Sequence, residues 1–377
     1  MFTQTRSLFL AAIIAIFIYE YSSSEPLRFN FDLKHIDDNQ RDELFRFLDI
    51  NKDKKICETE FKNLFSSLFY STRHKTSYKD DKIESMILEL IGIPKEKGID
   101  KTQFDMIWGE WIVTVLRPRS ALIVVDVQND FMIGSMPVEN GTKIVPVIND
   151  LMKNFETVVF TYDWHPRNHC SFNESVHDPS IHRPIIDYYN KTRDTLTVGD
   201  RVRYAVHSDI IQYLWDRHCV QESEGSQLYH ELNQDHIKDK FNVTKGMDPD
   251  IDSYSAFADV GGVHDPERRT TLHCDLQSRG ITDVYLTGVV YEFCVGSTAL
   301  DALTLGYRTA FIEDAVHELN TTRQKEMRQN LTDNYSSIIT ADDVNDMVTA
   351  YDRRPQMGYV LAKKIWGTHK HPDPQCQ

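Results

Sequence analysis

The sequence predicts an α/β protein in which a three-layer domain with a parallel β-sheet, residues 120–365, follows a small all-α domain, residues 27–116. After Ser120, short continuous apolar runs alternate with helical stretches, which is typical of buried parallel strands joined by crossover helices. Before Leu116, apolar residues recur at helical spacing. The chain has 377 residues, of which 41% are hydrophobic. That is enough for two domains with separate cores.

The helical region contains a twelve-residue segment, DINKDKKICETE, that fits the calcium loop of an EF-hand. Calcium is a hard cation that prefers clustered oxygen ligands. The oxygens predicted to bind it come from Asp49, Asn51, Asp53, the backbone carbonyl of Lys55, and Glu60. The sixth position is Lys54, where a glycine normally makes the sharp turn. The segment therefore predicts either a calcium site weakened by this residue or a structural hand without metal.

A second helix–loop–helix segment, around IGIPKEKGIDKTQF, keeps the apolar residues Ile99 and Phe104 but has lost the ligands. Its first and last ligand positions are Gly92 and Gln103. We interpret it as a degenerate partner hand that packs against the first one.

Six apolar runs in the second domain predict the strands of the sheet. They read, in order, ALIVVDV, ETVVFTYD, KFNVTKG, ITDVYLTGVV, YRTAFIED and SSIITAD. Asp126, Asp163 and Lys245 lie at the ends of three of these strands, and Cys294 follows a fourth at the start of a predicted helix. Because ligands bind at the carboxyl ends of parallel strands, we expect these four side chains at one site.

Three of these residues have the chemistry of a nucleophilic site. Cys294 is a candidate nucleophile, because a helix N-terminus stabilises a thiolate and its amides can hold an oxyanion. Asp126 can accept the thiol proton if it is partly desolvated, and Lys245 can pair with Asp126 and offset negative charge. Taken singly, they also fit a buried structural cysteine, a helix cap and an exposed lysine. Their shared position favours the catalytic interpretation.

A candidate metal site combines one carboxylate and two imidazoles. TYDWHPRNHC supplies Asp163 and His165, and WDRHCV supplies His218. Three protein ligands leave coordination positions open, which is typical of a catalytic and not a structural metal site. His169 is either a fourth ligand or a supporting residue.

The segments VVDVQNDF, DWHPRNHCSF, WDRHCV, VTKGMDPDIDSYSAF and TGVVYEFCV resemble, in the same order, the signatures of nicotinamidases in the isochorismatase-like hydrolase superfamily. The resemblance covers residues 121–341, and it is specific because the catalytic and metal motifs occur together. The preceding unit resembles the EF-hand unit of animal nicotinamidases.

The resemblance implies an isochorismatase-like fold and hydrolysis of nicotinamide to nicotinic acid and ammonia, in NAD salvage, through a cysteine thioester. It implies a catalytic triad of Asp126, Lys245 and Cys294, and a divalent metal, usually zinc, bound by Asp163, His165 and His218. It further implies that Phe131, Trp215 and Tyr254 enclose the pyridine ring, that the amides of Val290 and Cys294 form an oxyanion hole, and that the Val289–Val290 peptide bond is cis.

Three alternatives remain open at this point. An isochorismatase-type enzyme shares the fold but needs neither the cysteine nor the metal set. Another carboxamide hydrolase of the superfamily, such as one that acts on carbamoyl substrates, shares the Asp–Lys–Cys set but not the aromatic residues. A calcium-binding secreted protein with an inactive hydrolase domain is the third, and the intact triad argues against it.

The N-terminus predicts entry into the secretory pathway. Arg6, an apolar run at residues 8–19 and small residues at 22–24 form the pattern of a signal peptide over residues 1–24, with an uncleaved signal anchor as the alternative. Seven glycosylation sequons point the same way. They begin at Asn140, Asn173, Asn190, Asn242, Asn320, Asn330 and Asn334. We therefore expect a secreted or lumenal glycoprotein without stable membrane contact.

The composition limits the kinds of partner and the number of disulfide bonds that we expect. The formal net charge of −15 argues against nucleic acid or anionic lipid as the main partner. If one of the six cysteines is a free nucleophile, the other five cannot all pair. The sequence leaves the oligomeric state and the disulfide connectivity open.

Overall fold

The computed structural model describes residues 28–93, 97–367 and Cys376. The predicted signal peptide at residues 1–24 lies outside this part of the chain. Within it, no helix is both long and apolar enough to cross a membrane.

Polar capping residues set the starts of the helices in the N-terminal unit. Asp37, Asp80 and Asp100 each accept a hydrogen bond from a backbone N–H in the first turn of the following helix. These caps satisfy amides that the helix itself leaves unpaired. The elements are α1 (Asp38–Leu48), α2 (Glu58–Leu68), a hairpin of β1 (Tyr70–Ser71) and β2 (Thr76–Ser77), α3 (Asp81–Ile91), α4 (Lys101–Ile107), a π-helical turn (Trp108–Ile112) and α5 (Val113–Leu116).

The two helix–loop–helix segments pair through a short antiparallel contact. Ile56 and Ile99 exchange two backbone hydrogen bonds of 2.9 Å each. Both side chains are buried in a core that also contains Phe61, Phe104 and Trp111. The second segment thus packs as a structural partner of the first. The assignment of the unit as an EF-hand pair stays a prediction.

The second unit is built on a six-stranded sheet in which every neighbouring pair of strands is parallel. All six predicted strands are present. They are β3 (Ser120–Val125), β4 (Thr157–Asp163), β8 (Asp239–Lys245), β9 (Asp283–Val289), β10 (Arg308–His317) and β11 (Ser337–Ile339), in the spatial order β11-β10-β9-β3-β4-β8. Every side chain of β9 is buried. Because successive side chains point to opposite faces of a sheet, both faces are covered there, as in a three-layer fold.

The helices of this unit include those that follow the strands bearing candidate site residues. They are α6 (Asn129–Met132), α7 (Val145–Met152), α9 (Leu272–Ser278), α10 (Gly296–Thr304), α11 (Thr321–Asp333), α12 (Ala341–Val348) and α13 (Pro355–Trp366). A π-helical turn (Tyr291–Val295) precedes α10 and carries Cys294. The last helix, α13, also contributes Tyr359 and Leu361 to the N-terminal core. The two units are therefore packed together through α13.

Gly288 allows the carboxyl ends of β3 and β9 to lie close together. Its φ is 116°, and a Cβ atom there would lie 2.1 Å from the backbone oxygen of Val125. A larger residue would push the strands apart at the point where one leads to Asp126 and the other to Cys294. This glycine is thus required by close approach and by backbone conformation together.

The long segment between His169 and His218 folds as a separate small layer. It contains α8 (Asn173–His177) and a three-stranded antiparallel sheet of β5 (Ile185–Asp187), β6 (Arg201–Tyr204) and β7 (Gln212–Tyr213). Its own buried cluster includes Cys170, Val202 and Leu214. We call residues 170–214 the insertion.

A half-buried carboxyl in α10 should give the stability of the fold a pH dependence. Burial raises the pKa of Asp301 from 3.8 to about 6. Between these two values the folded state binds more protons than the unfolded state, so this group makes stability fall as the pH rises from about 4 to 6. A shift of two pKa units corresponds to about 3 kcal/mol, and partial exposure reduces it.

We expect Asp301→Asn to raise the free energy of unfolding by about 1–2 kcal/mol at pH 7.5, with the gain shrinking toward pH 4. Urea unfolding at several pH values measures this. Asp150→Asn, which changes an exposed carboxylate, is the control. A gain for Asp301→Asn that is independent of pH would contradict the assignment.

Candidate active site

Asp126, Lys245 and Cys294 meet at the carboxyl ends of β3, β8 and β9, where the sequence placed them. The Nζ atom of Lys245 lies 2.9 Å from Oδ2 of Asp126 and donates a hydrogen bond to Sγ of Cys294 at 3.4 Å. It also donates to the backbone oxygen of Ser253 at 2.8 Å and to Oδ1 of Asp163 at 2.5 Å. Lys245 therefore connects the nucleophile, the candidate base and the candidate metal site.

The backbone at Asp126 is held in an uncommon conformation. Its φ is 50°, in the left-handed region that favours glycine. The hydroxyl of Thr161 donates to Oδ1 of Asp126 at 2.5 Å, and the amide of Asp126 donates to the same hydroxyl oxygen at 3.0 Å. Such strain persists only where the surrounding structure holds it, and it is frequent at active sites.

Burial and charge set the protonation of these three groups. Burial raises the pKa of the Cys294 thiol well above its usual value, although Lys245 opposes the shift. Burial also raises the pKa of the Asp126 carboxyl, again against Lys245. Burial disfavours the charge of Lys245, but Asp126 and Asp163 outweigh it and raise its pKa well above the usual value. The site thus holds a lysine cation beside a buried carboxyl and a thiol that needs a base to ionise.

Asp163, His165 and His218 converge into a buried group of metal-ligand type. Their ligand atoms all lie within 4.8 Å of one another. The Nε2 atoms of His165 and His218 lie 3.5 Å and 3.7 Å from Oδ2 of Asp163. Burial acts to raise the pKa of Asp163, but Lys245 and then His165 hold it well below its usual range. The carboxylate is therefore charged and able to bind a cation.

The hydrogen bonds of the two histidines fit metal binding. Nδ1 of His165 bonds to the backbone oxygen of Gly246 at 2.9 Å, and Nδ1 of His218 bonds to that of Asp216 at 2.7 Å. A carbonyl can only accept, so Nδ1 carries the hydrogen and the Nε2 lone pairs face Asp163. Gly246 is needed here, because a Cβ atom would lie 2.5 Å from the His165 ring. This residue set fits a divalent metal.

His169 supports this group and is not directed at it as a ligand. Its ring stacks on His165 at a centroid distance of 4.0 Å. Its two nitrogens bond to the hydroxyl of Ser171 at 2.7 Å and to the backbone oxygen of Ile251 at 3.3 Å. With both nitrogens occupied, His169 holds the His165 ring in place.

Aromatic side chains form a narrow cleft beside Cys294. All three aromatic residues that the resemblance implied, Phe131, Trp215 and Tyr254, line it. The other residues around the cleft are Met136, Asp163, His218, Asp252, Val290, Phe293, Cys294 and Leu319. Met136, Asp252, Phe293 and Leu319 were not predicted. Phe293 had a sequence signal, since it precedes Cys294, whereas Leu319 had none.

The turn between β9 and the nucleophile has the implied backbone geometry. The Val289–Val290 peptide bond is cis. Val290 and Cys294 both line the cleft, Val290 just before the π-helical turn and Cys294 within it. Both residues that the resemblance implied for an oxyanion hole therefore lie in the cleft wall.

The side chain of Gln128 joins the end of β4, at Asp163, to the turn after β3. This residue was not predicted from the sequence. Its side chain accepts from the amide of Asp163 at 2.9 Å and donates to the backbone oxygen of Asp163 at 2.8 Å. A second bond from the same nitrogen goes to the oxygen of Ser226 at 2.8 Å. The signal was its place in VVDVQNDF, two residues after Asp126.

The cysteines divide into one disulfide and four free thiols. Cys274 and Cys376 are joined. Cys57, Cys170, Cys219 and Cys294 are free. The nucleophile candidate is therefore unpaired in this structure.

The predicted calcium ligands share one loop but do not converge. Among the described residues, the carboxylates of Asp49, Asp53 and Glu60 do not form a group within 4.8 Å. Glu60 instead accepts hydrogen bonds from the amides of Ile50 at 2.9 Å and Cys57 at 3.0 Å. The side chain of Asn51 accepts a hydrogen bond from the amide of Asp53, and the side chain of Asp53 accepts one from the amide of Lys55. Oδ1 of Asp49 is buried without a hydrogen-bond partner.

Comparison with known proteins defines the class. The isochorismatase domain model matches residues 120–343. The chain belongs to the isochorismatase family. It is 34% identical over 232 residues to a nicotinamidase of Schizosaccharomyces pombe, an alignment that covers 59% of this chain and 94% of the relative. It is 35% identical over 208 residues to a nicotinamidase of Escherichia coli, covering 54% of this chain and 85% of that one.

A solved structure agrees with the fold. The Acinetobacter baumannii nicotinamidase and pyrazinamidase is 33% identical, with a TM-score of 0.51, and the match covers 60% of this chain and 99% of that one. The matched region is the parallel-sheet domain. The N-terminal helical unit lies outside the family match.

Proposed function

We propose that the protein is a nicotinamidase, an amidohydrolase that converts nicotinamide to nicotinic acid and ammonia. The observation that carries the proposal is the contact between two sets of residues at one end of the sheet, beside the aromatic cleft. Asp126, Lys245 and Cys294 supply the chemistry of amide hydrolysis, and Asp163, His165 and His218 form a metal-binding group beside them. Nicotinic acid can re-enter NAD synthesis, so the reaction serves NAD salvage.

The aromatic cleft suits a planar heterocycle. Phe131, Trp215 and Tyr254 line it and would enclose the ring, and Cys294 is in the same lining, where its thiol could reach the carboxamide carbon. A divalent metal held by Asp163, His165 and His218 would supply a Lewis acid for the pyridine nitrogen, and zinc suits this ligand set. Such positioning of substrate and nucleophile contributes several kcal/mol to catalysis.

The first half of the reaction forms a thioester. Asp126 takes the Cys294 proton, while Lys245 holds the charges of both groups. The thiolate attacks the carboxamide carbon, and the carbonyl electron pair moves to oxygen, where the amides of Val290 and Cys294 stabilise it. When the carbon–nitrogen bond breaks, the proton on Asp126 passes to the leaving nitrogen, and ammonia departs.

The second half regenerates the enzyme. Asp126 accepts a proton from a water molecule that attacks the thioester carbon. The carbon–sulfur bond then breaks, the proton returns to sulfur, and nicotinic acid leaves. The net reaction consumes one water and releases one ammonia for each amide.

The defining experiment is ammonia release from nicotinamide by the purified protein. A carbamoyl substrate and a non-aromatic amide of similar size serve as comparison substrates. We expect turnover of nicotinamide and at least a hundredfold lower kcat/KM for the others, because they lack the ring that the cleft encloses. Equal turnover of the carbamoyl substrate would favour a different amidohydrolase.

We further propose a secreted or lumenal location, with a glycosylated chain. The Cys274–Cys376 disulfide supports an oxidising compartment. Six of the seven sequon asparagines are exposed, and Asn173 is half-buried. Release of glycan mass by an endoglycosidase from protein expressed in a eukaryotic secretory host would test this. An unmodified chain retained in the cytosol would exclude it.

We also propose that the loop at Asp49–Glu60 binds calcium. The unpartnered Oδ1 of Asp49 supports it, as does the backbone pairing of Ile56 with Ile99. The site differs from a strong calcium loop at Lys54, which has a φ of 65° in the left-handed region. A side chain there costs about 1 kcal/mol relative to glycine.

We therefore expect Lys54→Gly to tighten calcium binding by about fivefold or more, which corresponds to about 1 kcal/mol of relieved strain. Isothermal titration calorimetry with calcium on wild type and variant measures this. Glu60→Gln should weaken binding in the same assay, because it removes a charge from the last ligand. Binding that is unchanged by Glu60→Gln would exclude this loop as the site.

A further inference from the structure

Arg323 joins segments that border the cleft. It is in the first turn of α11, which begins just after the cleft residue Leu319. Its Cζ atom is 4.8 Å from the ring centroid of Tyr213 and 5.6 Å from that of Phe293. Tyr213 belongs to the insertion, and Phe293 precedes Cys294 in the nucleophile turn. One guanidinium therefore bridges the insertion and the nucleophile turn by cation–π contacts.

The rings of Tyr213 and Phe293 both pack against Trp215. Tyr213 stacks on Trp215 at 6.0 Å with an interplanar angle of 27°. Phe293 meets Trp215 edge to face at 5.0 Å and Tyr213 edge to face at 5.7 Å. These are favourable aromatic geometries. The position of the Trp215 face in the cleft thus depends on how firmly Tyr213 and Phe293 are joined.

The start of α11 is anchored, so the position of Arg323 is fixed. The carboxylate of Glu292 accepts from the amides of Asn320 at 2.7 Å and Leu319 at 3.3 Å. The side chain of Asn320 in turn accepts from the amide of Arg323 at 3.0 Å. Glu292 lies in the same π-helical turn as Phe293 and Cys294. The helix that carries Arg323 is therefore tied to the nucleophile turn at two points.

We propose that Arg323 is a positioning residue that clamps the insertion to the nucleophile turn and so sets the affinity for the aromatic ring of the substrate. This inference rests on the proposed nicotinamidase function. Arg323 acts through Tyr213, Phe293 and Trp215, and it does not touch the triad. Its loss should loosen ring binding while leaving the bond-making groups in place.

The test replaces the cation and keeps the aliphatic bulk, with Arg323→Met. We expect KM for nicotinamide to rise about five- to twentyfold and kcat to change less than about threefold, since one cation–π contact corresponds to about fivefold in affinity. Arg323→Lys should recover at least half of the loss on a logarithmic scale. Arg201→Met is the matched control, because Arg201 lies 4.9 Å from the Tyr189 ring in the insertion but outside the cleft.

Tyr213→Leu and the double variant with Arg323→Met complete the experiment. If the clamp acts as one unit, the double variant raises KM no more than the larger single change. The clamp would be overturned by an unchanged KM in Arg323→Met, or by a loss in kcat as large as the rise in KM. A rise in KM for Arg201→Met, or strictly multiplicative effects in the double variant, would overturn it as well. If the wild type releases no ammonia from nicotinamide, the proposed function fails. The clamp is then tested by the Tm of the two single variants and the double variant. Additive losses in Tm overturn it, and non-additive losses support it.

Discussion

Replacing Cys294 with alanine is expected to abolish the release of ammonia from nicotinamide, with kcat/KM lowered by roughly 10⁴-fold or more. Cys294 is the thiol within 3.4 Å of Lys245 at the floor of the cleft. The proposed thioester cannot form without its sulfur. The loss should appear in kcat, because Phe131, Trp215 and Tyr254, which are proposed to bind the ring, still line the cleft. A coupled ammonia assay measures the rate, and circular dichroism checks the fold.

A matched control separates the loss of the nucleophile from the loss of a buried thiol. Cys170 is also buried and free, and it lies in the core of the insertion. We expect Cys170→Ala to keep kcat within about threefold. Hydroxylamine should trap the acyl group as a hydroxamate in the wild type and in Cys170→Ala, but not in Cys294→Ala. Turnover retained by Cys294→Ala would reject the covalent scheme.

Removal of one metal-binding side chain should be nearly as damaging. We expect His218→Ala to lose bound metal and to lower kcat/KM by more than about 100-fold, because loss of a mere supporting partner of a metal ligand already costs 10–100-fold. His218 is buried, and its Nε2 faces Asp163. Metal content by mass spectrometry and ammonia release together measure the effect.

Chelation tests the same site without mutation. Dialysis against a chelator should inactivate the wild type, and addition of zinc, manganese or iron should restore it to an extent that identifies the metal. His230→Ala is the control for the His218 substitution, since His230 is an exposed imidazole outside the cleft. Full activity of the wild type at undetectable metal content would show that Asp163, His165 and His218 serve a structural purpose.

Much of the fold could be predicted because its strands are buried on both faces. β3, β4 and β9 are rich in apolar residues and almost entirely buried. Because both faces of such a strand are covered, the side chains on both faces are mostly apolar. The antiparallel sheet of the insertion escaped prediction because β5, β6 and β7 are only two to four residues long. Such short strands take their conformation from tertiary packing.

The sequence determined the membership of the site. Asp126, Asp163, Lys245 and Cys294 end or follow parallel strands, and a parallel sheet brings those ends to one edge whatever the loops between them do. His165 and His218 could be predicted from their motifs, although 52 residues separate them, because each lies in a short segment with its own signature.

Only the tertiary structure decided how these residues are joined. It showed that Lys245 contacts Asp126, Asp163 and Cys294 at once, and that Gly246 allows His165 to approach. It also placed Leu319 in the cleft wall and Arg323 against the ring of Phe293, from a segment without a catalytic pattern. A motif identifies the residues that react, because their chemistry restricts the residue type at those positions. The wall around them depends on packing across elements far apart in the chain, and that packing exists only once the sheet and its insertion have folded.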